Sequence, residues 1–275
     1  MATGIVANTN ISSISASRIL AGNRADLERA MERLASGKRI NSAADDATGM
    51  AVAAKMRGDI RSIDQAVRNT NDAISLVNTY DGASAEIEQI LVRMRELATQ
   101  AANGTYESSD LAYANQEFVA LRSEIDRIAD NTKFNQLTLS DNGQFTFQMQ
   151  IGPTTSDTLV ISPNGLSSVC LNIGTNNVAA LASATEAVAC LDSALDTLAT
   201  ARAESGATLN RLSHTVSNLM NVSQRLKEAI SGVEDADYAA ESAALARGMV
   251  LAQAGTAMLA QANQSPQYIL TLLRT

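Results

Sequence analysis

Tryptophan is absent from this 275-residue sequence, aromatic residues of every kind make up 3%, and histidine occurs once, at His214. A thick globular core around an aromatic cluster is thereby excluded. The apolar content, 45% of the chain, is carried by Ala, Leu, Ile, Val and Met, side chains that suit slim helix-to-helix packing. Proline is nearly missing. Pro153, Pro163 and Pro266 are the only three, so nothing in the first 152 residues forbids a long helix. Positive charge is in deficit, and a net charge of −8 argues against nucleic acid as a ligand, because phosphate contacts need a basic face. No uninterrupted run of about 18 apolar residues occurs, so neither a transmembrane helix nor a membrane partner is expected. Met1 to Ser17 lacks the basic segment, apolar segment and cleavage site of a secretory signal, which suggests a cytoplasmic protein or export by a signal-less route. The two cysteines, Cys170 and Cys190, are too few for a disulfide framework. One disulfide and two thiols are equally open readings.

What is present reads as helix, then a short β insert, then helix. A first helix is expected over about residues 3–36, stopped by Gly37 with Lys38 and Arg39 at its negative end. Ser42-Ala43-Ala44-Asp45 has the form of a capping box, with the Ser42 oxygen taking a first-turn N–H. Asp45 and Asp46 then read as a charged helix start rather than a metal or acid/base site, since no His or third carboxylate lies at ligand spacing. That helix should run to Asn103-Gly104, some 60 residues or roughly 90 Å. Ile60, Ile63, Val67, Ile74 and Val77 mark one apolar stripe. Ile87, Ile90, Met94 and Leu97 mark another, one position out of phase, which suggests a local change in supercoil. A shorter helix follows, with Leu111, Phe118 and Ile125 on one stripe and Ala114, Leu121 and Ile128 on the other, ending near Asp130-Asn131.

The period changes over residues 134–165. Phe145, Phe147, Met149 and Ile151 alternate with polar residues, the Asp141-Asn142-Gly143 turn precedes them, and Leu159 and Ile161 alternate beyond Gly152-Pro153. This is a small β-hairpin. A second long helix is expected from Asn176-Asn177. One stripe runs Leu181, Val188, Leu195, Arg202, Leu209, Val216, Ser223, Ile230, and its partner runs Ala184, Leu191, Leu198, Ser205, Leu212, Leu219, Leu226, Val233. Arg202 and Ser205 interrupt the seam once. An Ala- and Met-rich helix at about 237–264 should be stopped by Pro266, leaving an apolar tail of Ile269, Leu270, Leu272 and Leu273.

The fold class is therefore mainly α: a long coiled-coil-like helical bundle made from both chain ends, with a small β-hairpin insert. Both ends are apolar yet lack a bulky core to fold around. Such helices are marginal alone and gain stability against copies of themselves, so a self-assembling structural protein is expected. An enzyme is not. A Cys190–His214 pair would need two residues many turns apart on one helix, and no phosphate-cradling glycine loop or metal-ligand spacing is present. A coiled-coil signalling protein would not need two matched apolar termini.

Four segments carry a family resemblance. They are Leu34-Ala35-Ser36-Gly37-Lys38-Arg39-Ile40-Asn41-Ser42-Ala43-Ala44-Asp45-Asp46-Ala47-Thr48-Gly49, Arg68-Asn69-Thr70-Asn71-Asp72-Ala73-Ile74-Ser75, Glu234-Asp235-Ala236-Asp237-Tyr238-Ala239, and Met258-Leu259-Ala260-Gln261-Ala262-Asn263-Gln264. In this order they resemble bacterial flagellins, over about 1–130 and 175–275. The resemblance implies a subunit that polymerises into the flagellar filament, the propeller for motility, with a hook–filament junction protein of the flagellum as the alternative. It implies an inner, core-lining domain of residues 1–41 with 235–275, and an outer helical domain of residues 42–234 carrying the hairpin. Assembly would fall to Ile5, Ile11, Leu251, Met258, Leu259, Leu270 and Leu273. About 45 residues separate the helical halves, so the extra surface domains of larger flagellins are missing. Implied partners are other copies of the chain in a helical homopolymer, an export chaperone on the C-terminal segment, and the filament cap and hook-junction proteins. No cofactor or metal is implied. The implied location is the extracellular flagellum, reached through its own secretion apparatus without a cleaved signal peptide. By position, Arg93, Leu97 and Glu117 match the stretch read by the animal Toll-like receptor for flagellin, and Glu32 to Ala53 resembles the peptide sensed by the plant receptor. Cysteine departs from the family pattern, so a Cys170–Cys190 bond, within or between chains, is open.

Overall fold

The computed structural model describes residues 9–139 and 146–272, with side chains as far as 264. Five helices carry the chain: α1 (Ile11–Ser36), α2 (Ala47–Ala101), α3 (Ser108–Asn131), α4 (Leu181–Glu234) and α5 (Tyr238–Leu272). Between α3 and α4 lie two antiparallel strand pairs, β1 (Lys133–Phe134) with β2 (Leu137–Thr138), and β3 (Phe147–Gln150) with β4 (Thr158–Ile161). This is the mainly helical chain with a small β insert that the pattern implies. The chain forms two compact units, Met1–Gly58 with Leu226–Thr275, and Asp59–Arg225. Their limits fall inside α2 and α4.

In the unit of residues 59–225, α2 buries one unbroken seam. Ile63, Ala66, Thr70, Ala73, Val77, Tyr80, Ser84, Ile87, Leu91, Met94, Ala98 and Ala101 are all buried, at alternating steps of three and four. The phase change expected from the apolar residues alone is therefore not there. The seam passes through two hydroxyls, whose protons are satisfied within the helix: Thr70 Oγ1 donates to the Ala66 carbonyl at 2.7 Å and Ser84 Oγ to that of Tyr80 at 2.9 Å. On α4 one expected stripe holds, with Ala184, Leu191, Leu198, Leu212 and Leu219 buried. Its partner is Ala187, Ala194 and Ala201 rather than the larger residues one position on, and Leu181 is exposed. Alanine there leaves room for Phe118 and Ile125 of α3 and for Phe147, Leu159 and Ile161 of the hairpin, all in the same core. Arg202 sits beside that seam, donating from Nε to Asp81 Oδ1 at 3.0 Å and from Nη1 to Glu88.

The hairpin pairs Phe147 with Ile161 and Gln150 with Thr158. The Asp141-Asn142-Gly143 turn and Phe145 lie outside the described residues. The β1–β2 pair was not legible as such. Asn135 and Gln136 turn it with φ of 49° and 66°, a left-handed pair that asparagine tolerates but glutamine rarely marks.

Helix limits differ from the expected ones for local reasons. α2 starts at Ala47, with Asp46 in the N-cap position accepting from the Gly49 amide at 2.8 Å. Ser42 does not cap it. Instead Asp45 Oδ2 accepts from the Ser42 amide at 2.9 Å, the Ser42 hydroxyl at 3.1 Å and the Asn41 amide at 3.2 Å. Those donors, the Ser42 amide first, hold the Asp45 carboxyl below its ordinary value. α1 does stop at Gly37, which takes φ 72° and donates its amide to the Arg33 carbonyl at 2.9 Å. α4 begins at Leu181, a turn later than Asn176-Asn177 suggests. α5 does not stop at Pro266 but continues to Leu272.

Candidate functional site

The unit made from both chain ends contains the surface that sequence and structure single out together. α1 and α5 pack antiparallel. On α1 the inward positions are Ser13, Ala16, Leu20, Asn23, Leu27, Ala30 and Leu34, and on α5 they are Glu241, Leu245, Gly248, Ala252, Gly255, Leu259 and Ala262. Both sets step by three and four, the spacing of a helix–helix seam. Large meets small across it. A Cβ on Gly255 would lie 3.2 Å from Leu20 Cδ1, and one on Gly248 would lie 3.4 Å from Leu27. The same register sets Leu245 opposite Ala30 and Leu259 opposite Ala16. The glycines let the two axes approach.

Polar groups fix the ends of the pair. Asn10 Oδ1 accepts from the Ser13 amide at 3.0 Å, capping α1, and its Nδ2 donates to the Ala262 carbonyl at 2.7 Å. Ser13 Oγ reaches Asn263 at 2.7 Å. At the other end Arg33 Nη1 donates to Glu241 at 3.1 Å and the Tyr238 hydroxyl to the Leu34 carbonyl at 2.9 Å. The two linkers meet there. Arg39 N donates to the Glu234 carbonyl at 2.7 Å and Ala236 N to the Gly37 carbonyl at 3.0 Å. The buried Glu234 carboxylate accepts from Lys38 Nζ at 2.8 Å and from Arg57.

The seam leaves many of the pair's apolar side chains outside it. Ile11, Ile14, Ile19, Met249, Val250, Leu251 and Met258 all point to solvent, Ile11 at 66% and Met258 at 64% exposure. Ile11 and Ile19 of α1 with Leu251, Ala254 and Met258 of α5 line an open groove of about 550 Å³. Residues Tyr238–Gln264 are long and apolar enough, by length and composition alone, to cross a membrane, and only 6% of the apolar window is buried. That differs from the expectation of no such helix. The apolar residues of α5 are interrupted by Ser, Thr, Gln and Gly, so no unbroken run appears, yet charge is nearly absent.

Among the assembly residues expected from the sequence, Ile11, Leu251 and Met258 lie on this exposed face, while Leu259 is half-buried in the seam. Ile5, Leu273 and the side chain of Leu270 lie outside the described residues. Arg93 and Glu117 are half-exposed and joined, Nε and Nη2 of the arginine donating to Glu117 Oε1 at 3.0 and 2.9 Å. Glu117 and Glu96 hold the guanidinium charged above its ordinary value. Leu97, 3% exposed, is core. Cys170 is an exposed thiol in a turn and Cys190 a half-buried thiol on α4. His214 is exposed on the same helix as Cys190, 24 residues on, about 36 Å away along its axis. Among the described residues no group of three His, Cys, Asp or Glu is placed to hold a metal.

Sequence reasoning missed two things. The 237–264 segment reads from sequence only as Ala- and Met-rich, and Gly248 and Gly255, which receive leucines, do not stand out in it. It also missed the polar side chains of α3 that hold the segment before α4: Arg122 donates to the Gly174 and Asn176 carbonyls, and Asp126 accepts from the Ser168 amide and hydroxyl.

The comparisons with known proteins identify the family. Residues 7–144 match the bacterial flagellin N-terminal helical region and residues 188–273 the bacterial flagellin C-terminal helical region. The chain is similar to flagellin of Halalkalibacterium halodurans, 42% identical over 272 residues, covering 98% of this chain and 100% of the relative. Among solved structures it is similar to Bacillus cereus flagellin, at 38% identity and TM-score 0.51 over 55% of this chain and 88% of that one. A Vibrio parahaemolyticus protein described as a putative flagellar hook-associated protein shares the fold, with TM-score 0.59 at 13% identity over 70% of this chain and 100% of that one. The chain belongs to the bacterial flagellin family.

Proposed function

We propose that this chain is the repeating subunit of the flagellar filament and polymerises through its two ends. The observation that carries this reading is the α1–α5 pair, which turns large apolar side chains outward while alanine and glycine take much of its seam. An apolar face of that extent marks an interaction surface, and in a helical homopolymer identical neighbours cover it. In this reading residues 1–41 with 235–275 line the filament core, and residues 42–234 form the outer domain. The subunit works outside the cell, and it reaches the growing tip through the flagellar secretion apparatus without a cleaved signal peptide. Before assembly an export chaperone covers the C-terminal apolar helix, and the cap and hook-junction proteins bound the polymer. The role is structural, and no residue is assigned to catalysis.

Arg93 and Glu117 form the exposed part of a host-receptor epitope in this proposal. Leu97, 3% exposed, lines the floor of the same open pocket and acts there mainly by holding α2 in place. The hook–filament junction reading has weaker support, because the H. halodurans relative is a flagellin over its whole length, whereas the hook-associated protein shares only the fold. The test is electron microscopy after heat dissociation and seeded reassembly, beside a chain trimmed at both ends. Long filaments from the intact chain and none from the trimmed one are expected. An intact chain that stays monomeric under all conditions would favour the junction reading.

A further inference from the structure

We infer that Asn10 and Pro266 together set the register of the terminal helix pair, through the one carbonyl that the proline leaves without a donor. Along an α-helix the amide of residue 266 would bond the carbonyl of residue 262. Proline has no amide hydrogen, yet α5 runs on past it to Leu272. The Ala262 carbonyl therefore lacks its helical partner, and the Asn10 side chain supplies one, with Nδ2 at 2.7 Å. The same amide group caps α1 through Oδ1. Asn10 thus joins the start of α1 to a single address on α5.

The apolar seam provides that address only in part. Leu20 faces Gly255 and Leu27 faces Gly248, both pairs being seven residues apart on each helix. If α5 slid by one heptad, Leu27 would face Gly255, Leu34 would face Gly248 and Leu20 would face Ala262. Large would still meet small at those three steps. Leu245 would leave Ala30 for the end of α1 near Gly37, and Leu259 would leave Ala16 for Asn23, so packing disfavours the slid register by about two leucine contacts. The polar contacts separate the two more sharply. In the slid register Asn10 would lose the Ala262 carbonyl, and Arg33 would lose Glu241.

The experiment traps each register by disulfide formation in full-length chains carrying Cys170→Ser and Cys190→Ser. Asn23→Cys with Ala252→Cys reports the observed register, and Asn23→Cys with Leu259→Cys the slid one. Asn10→Asp keeps an acceptor for the Ser13 amide but removes the donor to Ala262, so capping is separated from register. We expect Asn10→Asp to shift the ratio of the two products toward the slid one by about three- to tenfold. In a Pro266→Ala chain, whose Ala262 carbonyl regains its helical donor, the same substitution should have no further effect. An unchanged ratio in Asn10→Asp, or an equal shift with and without Pro266, overturns the inference. So does failure of the parent chain to give the Asn23–Ala252 product. The ratio is read in monomers as well as in filaments, and filament formation is scored separately by microscopy. Chains that cross-link in register but do not polymerise would count against the proposed function and not against this one.

Discussion

In residues 59–225 the largest buried side chains form a shared core, although Tyr113, Val169 and Met220 face water. Tyr80, Phe118, Leu91, Met94 and Ile125 are all fully buried, and small residues serve to admit them. In the unit made from the chain ends the balance is reversed: glycine and alanine occupy much of the seam, and isoleucine, methionine and valine face water. The first unit has a core of its own. The second has an apolar face that, in the proposed filament, other copies would cover. If the terminal pair is the polymer contact, substitutions in the two units should separate stability from assembly.

The largest separation is expected at Met258. A carboxylate introduced by Met258→Asp stands in water in the monomer, so the unfolding free energy should change by no more than about 0.5 kcal/mol. In the filament the same group would be buried against an apolar neighbour without a partner, a desolvation cost that polymerisation cannot offset. Loss of seeded assembly with an unchanged denaturation midpoint is the expected result. A filament of normal length would show that this face stays exposed in the polymer.

Phe118→Ala makes the complementary test. The ring is fully buried among α2, α4 and hairpin residues, and its removal should cost about 3–5 kcal/mol, read as a lowered urea midpoint of the monomer. Filaments should still form below the new melting temperature, since no terminal residue is touched.

How much of this was legible in advance follows the same division. Helix order, the Gly37 stop and the hairpin alternation at Phe147 and Met149 could be read because each rests on local chemistry. The α2 seam was misread because Thr70 and Ser84 look polar, although their protons are consumed one turn back and leave only methyl and methylene groups to pack. The Ala187, Ala194 and Ala201 stripe was misread because alanine gives no apolar peak beside leucine. Pro266 was taken for a stop, and nothing near it in sequence says otherwise: the donor that occupies the freed carbonyl is 252 residues away. Asp46 rather than Ser42 caps α2: both are N-cap residue types, and only the loop path decides.

A smaller effect is expected inside the self-sufficient unit at Tyr80. Its hydroxyl donates to the Asn164 carbonyl at 2.9 Å, tying the segment after β4 to α2. Tyr80→Phe should cost about 1 kcal/mol. Burial pushes the phenol up from 10.0 to about 12, so the folded chain keeps a proton that the unfolded chain releases. That contribution is fully present below pH 10, and stability is lost as pH rises from about 10 to about 12. Monomer melts across that range should fall more steeply for the parent chain than for Tyr80→Phe. Parallel slopes would mean the phenol titrates alike in both states.

The smallest effect is expected at the polar break in the α4 seam. Arg202 is bonded to Asp81 and Glu88, but all three side chains keep more than a third of their surface in water, so the Coulomb gain is largely screened. Arg202→Met keeps most of the stem that packs beside the seam and should cost less than about 1 kcal/mol in dilute buffer. Part of even that difference should vanish at 1 M salt, where the Debye length shrinks to about 3 Å. A larger loss that resists salt would mean the guanidinium is buried in solution. The unit of residues 59–225 would then depend on a charged group at its centre, and the contrast with the terminal pair, apolar core against apolar surface, would have to be redrawn around that group.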